Sequence, residues 1–454
     1  MIILAPVKAL DREILRLALP SILANITVPL VGMVDLAIAG HLHGGGASAA
    51  AFIGAVSVGA LLFNVLYWNF AFLRAGTGGL TAQAFGRAQK GAPVSDAGLI
   101  LGRGLALSLA AALVLIAIQW PFAKLGLLII GGTEEVTELA LRYFFIRIWA
   151  APATLSLMVF RGWFIGMQDT RSSMWVDLIV NGVNIAASLL LAFPLGLGFN
   201  GIALGTAIAQ YSGLVFALAV VLGKYRRVVS GLRLRECLHG SREFFAMNGD
   251  LFLRSLSFMA IYLGFSAIAA RFGDTALAVA SLMMNLLMLF SYFTDGFAYA
   301  GEALCGRFIG ERDGRMLRLT VRQVFIWSMG VALLWVAIYA FAGRPLVALM
   351  TDDAAVRLAA EPYLLWLILM PPLGCAAFTW DGIYIGATST AAMRNSMFGA
   401  AAAFFGVWFA GHRLLGLTPA AAVSAIHLLL AAYFAHLLVR TVWLSARYRR
   451  DILR

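Results

Sequence analysis

Charged residues are scarce in this chain of 454 residues. Only 12% of them are Asp, Glu, Lys or Arg, whereas 62% are hydrophobic. Soluble domains carry about 25% charged residues, so this composition excludes an ordinary soluble protein. Apolar stretches of about 20 residues, enough to cross a hydrocarbon core of roughly 30 Å, recur along the chain. We therefore predict an all-α membrane protein.

Cysteine and histidine are too few and too scattered to form a chemical site. Cys237, Cys305 and Cys375 form no C-x-x-C pair, so we expect structural thiols and neither a disulfide framework nor a metal site. The six histidines form no H-E-x-x-H set, and the sequence has neither a G-x-S-x-G nucleophile turn nor a P-loop. These absences predict a protein that is not an enzyme, needs no cofactor and does not use ATP.

Glycine, proline and charged residues divide the apolar runs into twelve predicted transmembrane helices. The first run is too long for a signal peptide and is interpreted as a retained helix. The predicted spans lie near 13–42, 47–73, 95–122, 134–166, 170–195, 199–223, 242–271, 275–303, 314–343, 353–386, 390–415 and 418–445.

Basic residues gather in alternate loops. Under the positive-inside rule this asymmetry predicts that both termini are cytoplasmic, in a multi-pass protein of the inner membrane. It also explains the net charge of +12 without a nucleic-acid partner. A contact between anionic lipids and the segment 224–242 is compatible with the same pattern. The basic groups are Arg87 with Lys90, 224–242, 307–322 and 447–454.

The chain has two related halves, predicted as an N-terminal lobe (1–223), a cytoplasmic linker (224–241) and a C-terminal lobe (242–454). The string RGWFIGMQDT at 161–170 aligns with DGIYIGATST at 381–390. Because each half has an even number of helices, the repeat is parallel, and two six-helix bundles are expected to enclose a cavity that opens to alternate sides. Chance similarity between glycine-rich apolar segments is the alternative explanation.

Asp35 lies about two-thirds along the first predicted helix. An ionisable group in hydrocarbon costs about 3 kcal/mol or more, so it usually faces a cavity or a partner. Burial favours the neutral acid and a bound cation favours the carboxylate, so a proton and a cationic cargo would compete for this group. The alternative is a neutral Asp35 that hydrogen-bonds a neighbouring helix.

Helix five carries a polar face. Asp177, Asn181, Asn184 and Ser188 are spaced i, i+4, i+7 and i+11, which places them on one side of an α-helix. Asn184 and Ser188 lie at a depth similar to that of Asp35, whereas Asp177 lies about 10 Å nearer the cytoplasm. Asp177 is interpreted as a cavity residue or as a helix-end residue near the lipid headgroups.

The second half has its own acids. Asp295 and Glu302 share a face of helix eight, and Asp381 lies in helix ten. They are expected to form a cation site or to pair with arginines such as Arg394, Arg254 or Arg161. Nearby adaptable and aromatic side chains are candidates for cargo contact, with ordinary packing as the alternative. These side chains are Met288, Tyr292 and Tyr299.

The strings VDLAIAGHL, GGLTAQAFG, DGFAYAGE, DGIYIGAT and AAMRNSM closely resemble the multidrug and toxic compound extrusion (MATE) family, and within it the DNA-damage-inducible (DinF) branch. The resemblance covers essentially the whole chain. It implies a V-shaped pair of six-helix bundles that exports amphipathic, often cationic drugs and toxins in exchange for H+ or Na+.

The resemblance also assigns residues. The family's acid in helix one matches Asp35, its asparagine in helix five matches Asn184, and a threonine in helix six matches Thr206. Where this branch usually reads N-I-x-x-D, the chain has Ser188, so the N-terminal lobe is left with one carboxylate at this site. A proton needs only one carboxylate. H+ is therefore favoured as the coupling ion, with Na+ as the alternative.

The predicted function is a secondary active antiporter that works by alternating access. A flippase for a lipid-like cargo is the nearest alternative, but it would need a wide cationic cavity, whereas the predicted interior is acidic. The expected partners are amphipathic small molecules and membrane lipids, and the protein is expected to be a monomer.

Overall fold

The computed structural model describes residues 4–42, 48–131, 133–232, 234–238, 242–418 and 421–453. Over these ranges the regular structure is entirely helical. The helices are α1 (Leu4–Gly40), α2 (Ala49–Trp68), α3 (Phe72–Gln89), α4 (Ser95–Ala117), α5 (Gln119–Ile130), α6 (Glu134–Arg147), α7 (Ala151–Gly166), α8 (Thr170–Ala192), α9 (Phe199–Lys224), α10 (Arg226–Val229), α11 (Leu234–Leu238), α12 (Arg242–Ala270), α13 (Asp274–Gly310), α14 (Gly314–Met350), α15 (Ala354–Ala360), α16 (Leu364–Gly386), α17 (Thr390–Leu415) and α18 (Ala422–Asp451).

Within the described ranges, twelve spans are long and apolar enough to cross a membrane, which confirms the predicted number. Three of them are built from two consecutive helices: α2 with α3, α6 with α7, and α15 with α16. The fourth and tenth spans each contain a short 3-10 turn, at Ile148–Ala150 and Glu361–Tyr363. The predicted end of the second span near residue 73 is wrong, because α3 continues to Gln89.

The ends of several helices follow local sequence chemistry. Thr133 caps α6 by accepting a hydrogen bond from the backbone N–H of Val136, and two glutamates in the first turn favour the positive end of the helix dipole. The C-terminal end of α17 follows from a glycine. The helix ends at Leu415, and the next residue, Gly416, adopts a left-handed conformation with φ of +56°.

Backbone contacts divide the chain into two compact units. Unit A, as we call it, is Leu23–Phe245, and unit B is Ala246–Arg454 together with Met1–Ile22. The first helix therefore contributes to both units. Its early part is held in unit B by two contacts: Arg307 Nη1 donates to Glu13 Oε1 at 3.0 Å, and Trp327 Nε1 donates to Asp11 Oδ1 at 3.0 Å. The predicted lobes place all of the first helix with the N-terminal half, and that domain division stays a prediction.

The aligned strings at 161–170 and 381–390 occupy matching positions in the two units. In unit A, α7 crosses α3 so closely that a methyl group at Gly162 would overlap the carbonyl oxygen of Arg74. In unit B, α16 crosses α13 in the same way, and a methyl group at Gly382 would overlap the carbonyl oxygen of Ala298.

Both aligned helices also end alike. Gln168 and Thr388 each adopt a positive φ, of +59° and +54°, two residues after the last helical residue. The next backbone N–H then turns back onto the helix, from Asp169 to Phe164 O at 2.8 Å and from Ser389 to Tyr384 O at 3.1 Å. The sequence match is therefore a structural repeat.

These crossings generate a stability prediction. Gly162→Ala and Gly382→Ala force a methyl group against a backbone carbonyl, so each is expected to destabilise its unit by at least about 1–3 kcal/mol. Thermal unfolding of the purified protein in detergent measures the effect. The matched controls are Gly182→Ala and Gly330→Ala, because nothing lies within 4 Å of a methyl group at either position. Equal melting temperatures for the two pairs of variants would contradict the close crossing.

Candidate functional site

Unit A contains a cavity of about 430 Å³ between helices α1, α2, α6, α7, α8 and α9. Four of the predicted ion-site and polar-site residues line it: Asp35, Asn181, Asn184 and Thr206. They come from three different helices, so the fold brings together side chains that are up to 171 positions apart, from 35 to 206.

Asp35 is the acid of this cavity. Its side chain lies on α1 and only 6% of the residue is exposed. The buried oxygen Oδ1 has no hydrogen-bond partner in the described part of the chain. Buried polar atoms are nearly always hydrogen-bonded in folded proteins. An unsatisfied carboxyl oxygen that faces a cavity is thus available to a proton or to a ligand.

Asn184 and Thr206 form a polar link between α8 and α9. Asn184 Nδ2 donates to Thr206 Oγ1 at 2.9 Å, and Thr206 Oγ1 donates to the carbonyl oxygen of Ile202 at 3.1 Å. Asn184 Oδ1 is buried without a partner among the described residues. The asparagine therefore presents an unused acceptor beside the cavity.

Asn181 links the same face of α8 to α1. Its Nδ2 donates to Thr27 Oγ1 at 2.6 Å, and Thr27 Oγ1 donates to the carbonyl oxygen of Ala24 at 2.7 Å. The polar stripe of α8 thus contacts the helix that carries Asp35.

Ser188 takes no part in lining the cavity. It is completely buried where α8 and α9 approach each other, and a methyl group at Gly205 would overlap Ser188 Oγ. The hydroxyl lies 3.5 Å from the carbonyl oxygen of Ile202. Ser188 therefore packs directly against the backbone of α9.

Asp177 is held by an ion pair. Its carboxylate lies 2.6 Å from Arg161 Nη2, and Arg161 is the member of the pair that lines the cavity. The negative charge of Asp177 is therefore neutralised by its neighbour, and within this cavity it adds no second free acid to Asp35.

Sequence reasoning missed Arg147. This last residue of α6 lines the cavity, donates from Nη1 to Tyr143 Oη at 2.8 Å, and stacks on the ring of Phe63 with 4.7 Å from Cζ to the ring centroid. An arginine in the middle of the fourth predicted span, in YFFIRIWA, was the available signal. The interior predicted to be acidic contains two arginines in this cavity, Arg147 and Arg161.

The acids of unit B are mostly engaged by arginines. Asp381 Oδ2 accepts hydrogen bonds from Arg254 and, at 2.5 Å, from Arg440 Nη2. Arg254 was one of the partners that the sequence suggested for this group. Arg394 instead pairs with Asp250, at 2.5 Å. Asp381 therefore belongs to a paired charge cluster.

The remaining candidates of unit B lie along α13. Glu302 is completely buried, while Asp295 and three side chains suggested for cargo contact are half-buried. These three are Met288, Tyr292 and Tyr299. A role for this group in binding cargo stays a prediction.

Known proteins resemble this chain over most of its length. A family model described as MatE matches residues 20–190 and 251–410. DNA damage-inducible protein F of Escherichia coli (strain K12) is 38% identical over 87% of this chain and 84% of its own length. Probable multidrug resistance protein NorM of Photorhabdus laumondii is 25% identical over 88% of this chain and 86% of its own length. A crystal structure of MATE in the bent conformation superposes with a TM-score of 0.82 over 98% of this chain and 97% of that one, and at 19% identity this likeness concerns the fold.

The charge cluster of unit B generates a second stability prediction. Asp381→Asn leaves Arg440, which is 1% exposed, without its counter-charge. Removing one partner of a buried ion pair costs about 3–5 kcal/mol, so the melting temperature is expected to fall sharply. Adding Arg440→Gln to the same variant is expected to restore part of the loss.

Asp352→Asn is the matched control. Asp352 also pairs with an arginine, Arg357, but its side chain is fully exposed, so a loss below about 1 kcal/mol is expected. A melting temperature of Asp381→Asn that equals that of this control would rule out a stabilising role for the cluster.

Proposed function

Because the chain belongs to the MatE family, the multidrug and toxic compound extrusion proteins that its motifs resemble, we propose that it is a secondary active antiporter that exports amphipathic, often cationic compounds in exchange for H+ by alternating access. The relatives are transporters, which confirms that the chain is a transporter of small molecules and not an enzyme. With its twelve spans it is a multi-pass protein of the inner membrane. The charge asymmetry of the loops supports cytoplasmic termini.

The observation that carries the proposal is the unsatisfied carboxyl of Asp35 in the cavity of unit A. A proton on this group removes its negative charge, and loss of the proton restores an attraction for a cationic cargo. Because the two ligands use the same group, each lowers the affinity of the other. This competition is the coupling that an exchanger needs.

Proton coupling is supported by the number of carboxylates, because Asp35 is the one acid among the described residues that line the cavity. A proton needs a single carboxylate, whereas a metal cation is better held by more than one negative charge. Ser188 lies between two helices and supplies no oxygen to the cavity. The positive charge of Arg147 in the same cavity further opposes a bound metal cation.

Removal of the titratable group tests the role of Asp35. Asp35→Asn keeps the size of the side chain but binds no proton, so proton-driven efflux of a cationic dye such as ethidium from liposomes is expected to fall on the order of tenfold or more. The matched control is Asp352→Asn, an exposed acid that is expected to leave efflux unchanged. Full efflux by Asp35→Asn would sink the coupling role.

The identity of the ion is tested on the unmodified protein. Collapsing the proton gradient while an inward Na+ gradient is kept constant is expected to stop efflux, because the proton then brings no free energy to the exchange. Removing the Na+ gradient at constant pH difference is expected to change nothing. Efflux that survives the first treatment and fails under the second would establish Na+ coupling instead.

A further inference from the structure

The cavity of unit A contains a positive charge that proton coupling does not use. Arg147 lines this cavity, and its hydrogen bond goes to a neutral group, the hydroxyl of Tyr143, at 2.8 Å. The rest of its contact is with the rings of Phe63 and Tyr143, at 4.7 and 5.6 Å from Cζ to the centroids. No carboxylate of the described residues forms an ion pair with Arg147.

The second arginine of the cavity behaves differently. Arg161 forms an ion pair with Asp177 at 2.6 Å, so its charge is already balanced. Arg147 is left with most of its five N–H donors unused. A charged group inside a membrane protein usually faces a cavity and finds a partner there. Arg147 therefore keeps N–H donors that a ligand in this cavity could accept.

Asp35 and Arg147 face the same cavity and interact electrostatically, but no direct salt bridge joins them among the described residues. Among the described residues, Oδ1 of Asp35 has no hydrogen-bond partner. The guanidinium of Arg147 donates to Tyr143 and packs on the rings of Phe63 and Tyr143, which leaves further N–H donors available. The walls around them include apolar side chains, among them Val31 and Val56. A volume of about 430 Å³ is within the range of sites for drug-sized molecules.

We propose that Arg147 binds an anionic group of the cargo, so that the cavity takes amphipathic zwitterions whose cationic part approaches Asp35 and whose carboxylate binds Arg147. The planar guanidinium suits a carboxylate because it donates two parallel hydrogen bonds. This inference rests on the proposed exchange function and specifies its cargo.

The charge balance of the cavity favours such a cargo over a simple cation. The Arg161–Asp177 pair is neutral, and an ionised Asp35 balances Arg147, so these four groups together carry no net charge. A bound cation brings the total to one positive charge in a poorly solvated site, whereas a zwitterion leaves it neutral. Electrostatic energies are larger in such a site than in water, so the zwitterion is expected to bind more tightly than the cation.

The test uses two dyes that differ only in the anionic group: rhodamine B, which carries a free carboxylate, and its ethyl ester, which is a cation. Transport into liposomes is measured for the wild type, Arg147→Gln and Arg147→Lys. Arg147→Gln is expected to raise KM for rhodamine B about tenfold or more while changing KM for the ester less than about twofold. Arg147→Lys keeps the charge without the planar fork and is expected to lie between.

The matched control is Arg142→Gln, five residues earlier on α6. Arg142 has an exposed side chain and pairs with Glu138, so neither dye is expected to respond. An equal loss of both dyes in Arg147→Gln would overturn the proposal and assign Arg147 a structural role.

Direct binding to the purified wild type provides a test that depends neither on a variant nor on transport. Fluorescence anisotropy is expected to show tighter binding of rhodamine B than of the ester, and the reverse preference would overturn the proposal. Failure of the exchange mechanism has a separate signature, namely that Asp35→Asn keeps full efflux of the ester.

Discussion

The cost of an uncompensated charge in a membrane interior explains where the ionisable groups of this protein lie. Asp177 pairs with Arg161, Asp250 with Arg394, and Asp381 with both Arg254 and Arg440. Each pair joins side chains from different helices, so each also stabilises a particular arrangement of helices. Asp35 and Arg147 depart from this pattern, since neither forms an ion pair within the described ranges, and both face the cavity of unit A.

Close helix crossings make this arrangement possible. Gly162 on α7 lies against the backbone of α3, and Gly205 on α9 lies against Ser188 on α8. Such contacts fix the distance between helices because there is no side chain to adjust. In unit A they determine which side chains reach the cavity: Asn184 and Thr206 line it, whereas Ser188 is enclosed between α8 and α9.

The same geometry relates coupling to selectivity. In the exchange that we propose, the charge of Asp35 changes with proton binding and the charge of Arg147 does not. A cavity with one variable and one constant charge can release a cationic group when a proton arrives and still keep a preference for an anionic group. The proposal thus assigns separable purposes to the two residues, energy coupling to the first and recognition of cargo to the second.

The sequence alone determined the number of spans, the internal repeat and the candidacy of Asp35, because these depend on apolar length, on local alignment and on the rarity of acids in hydrophobic runs. It also identified Arg254 as a partner for the acids of the second half. Which acid pairs with which arginine was decided only by the tertiary structure: Arg161 forms an ion pair with Asp177, and Arg394 forms one with Asp250. The place of Arg147 in the cavity was decided there too, because which face of a helix meets a cavity depends on how that helix packs against its neighbours.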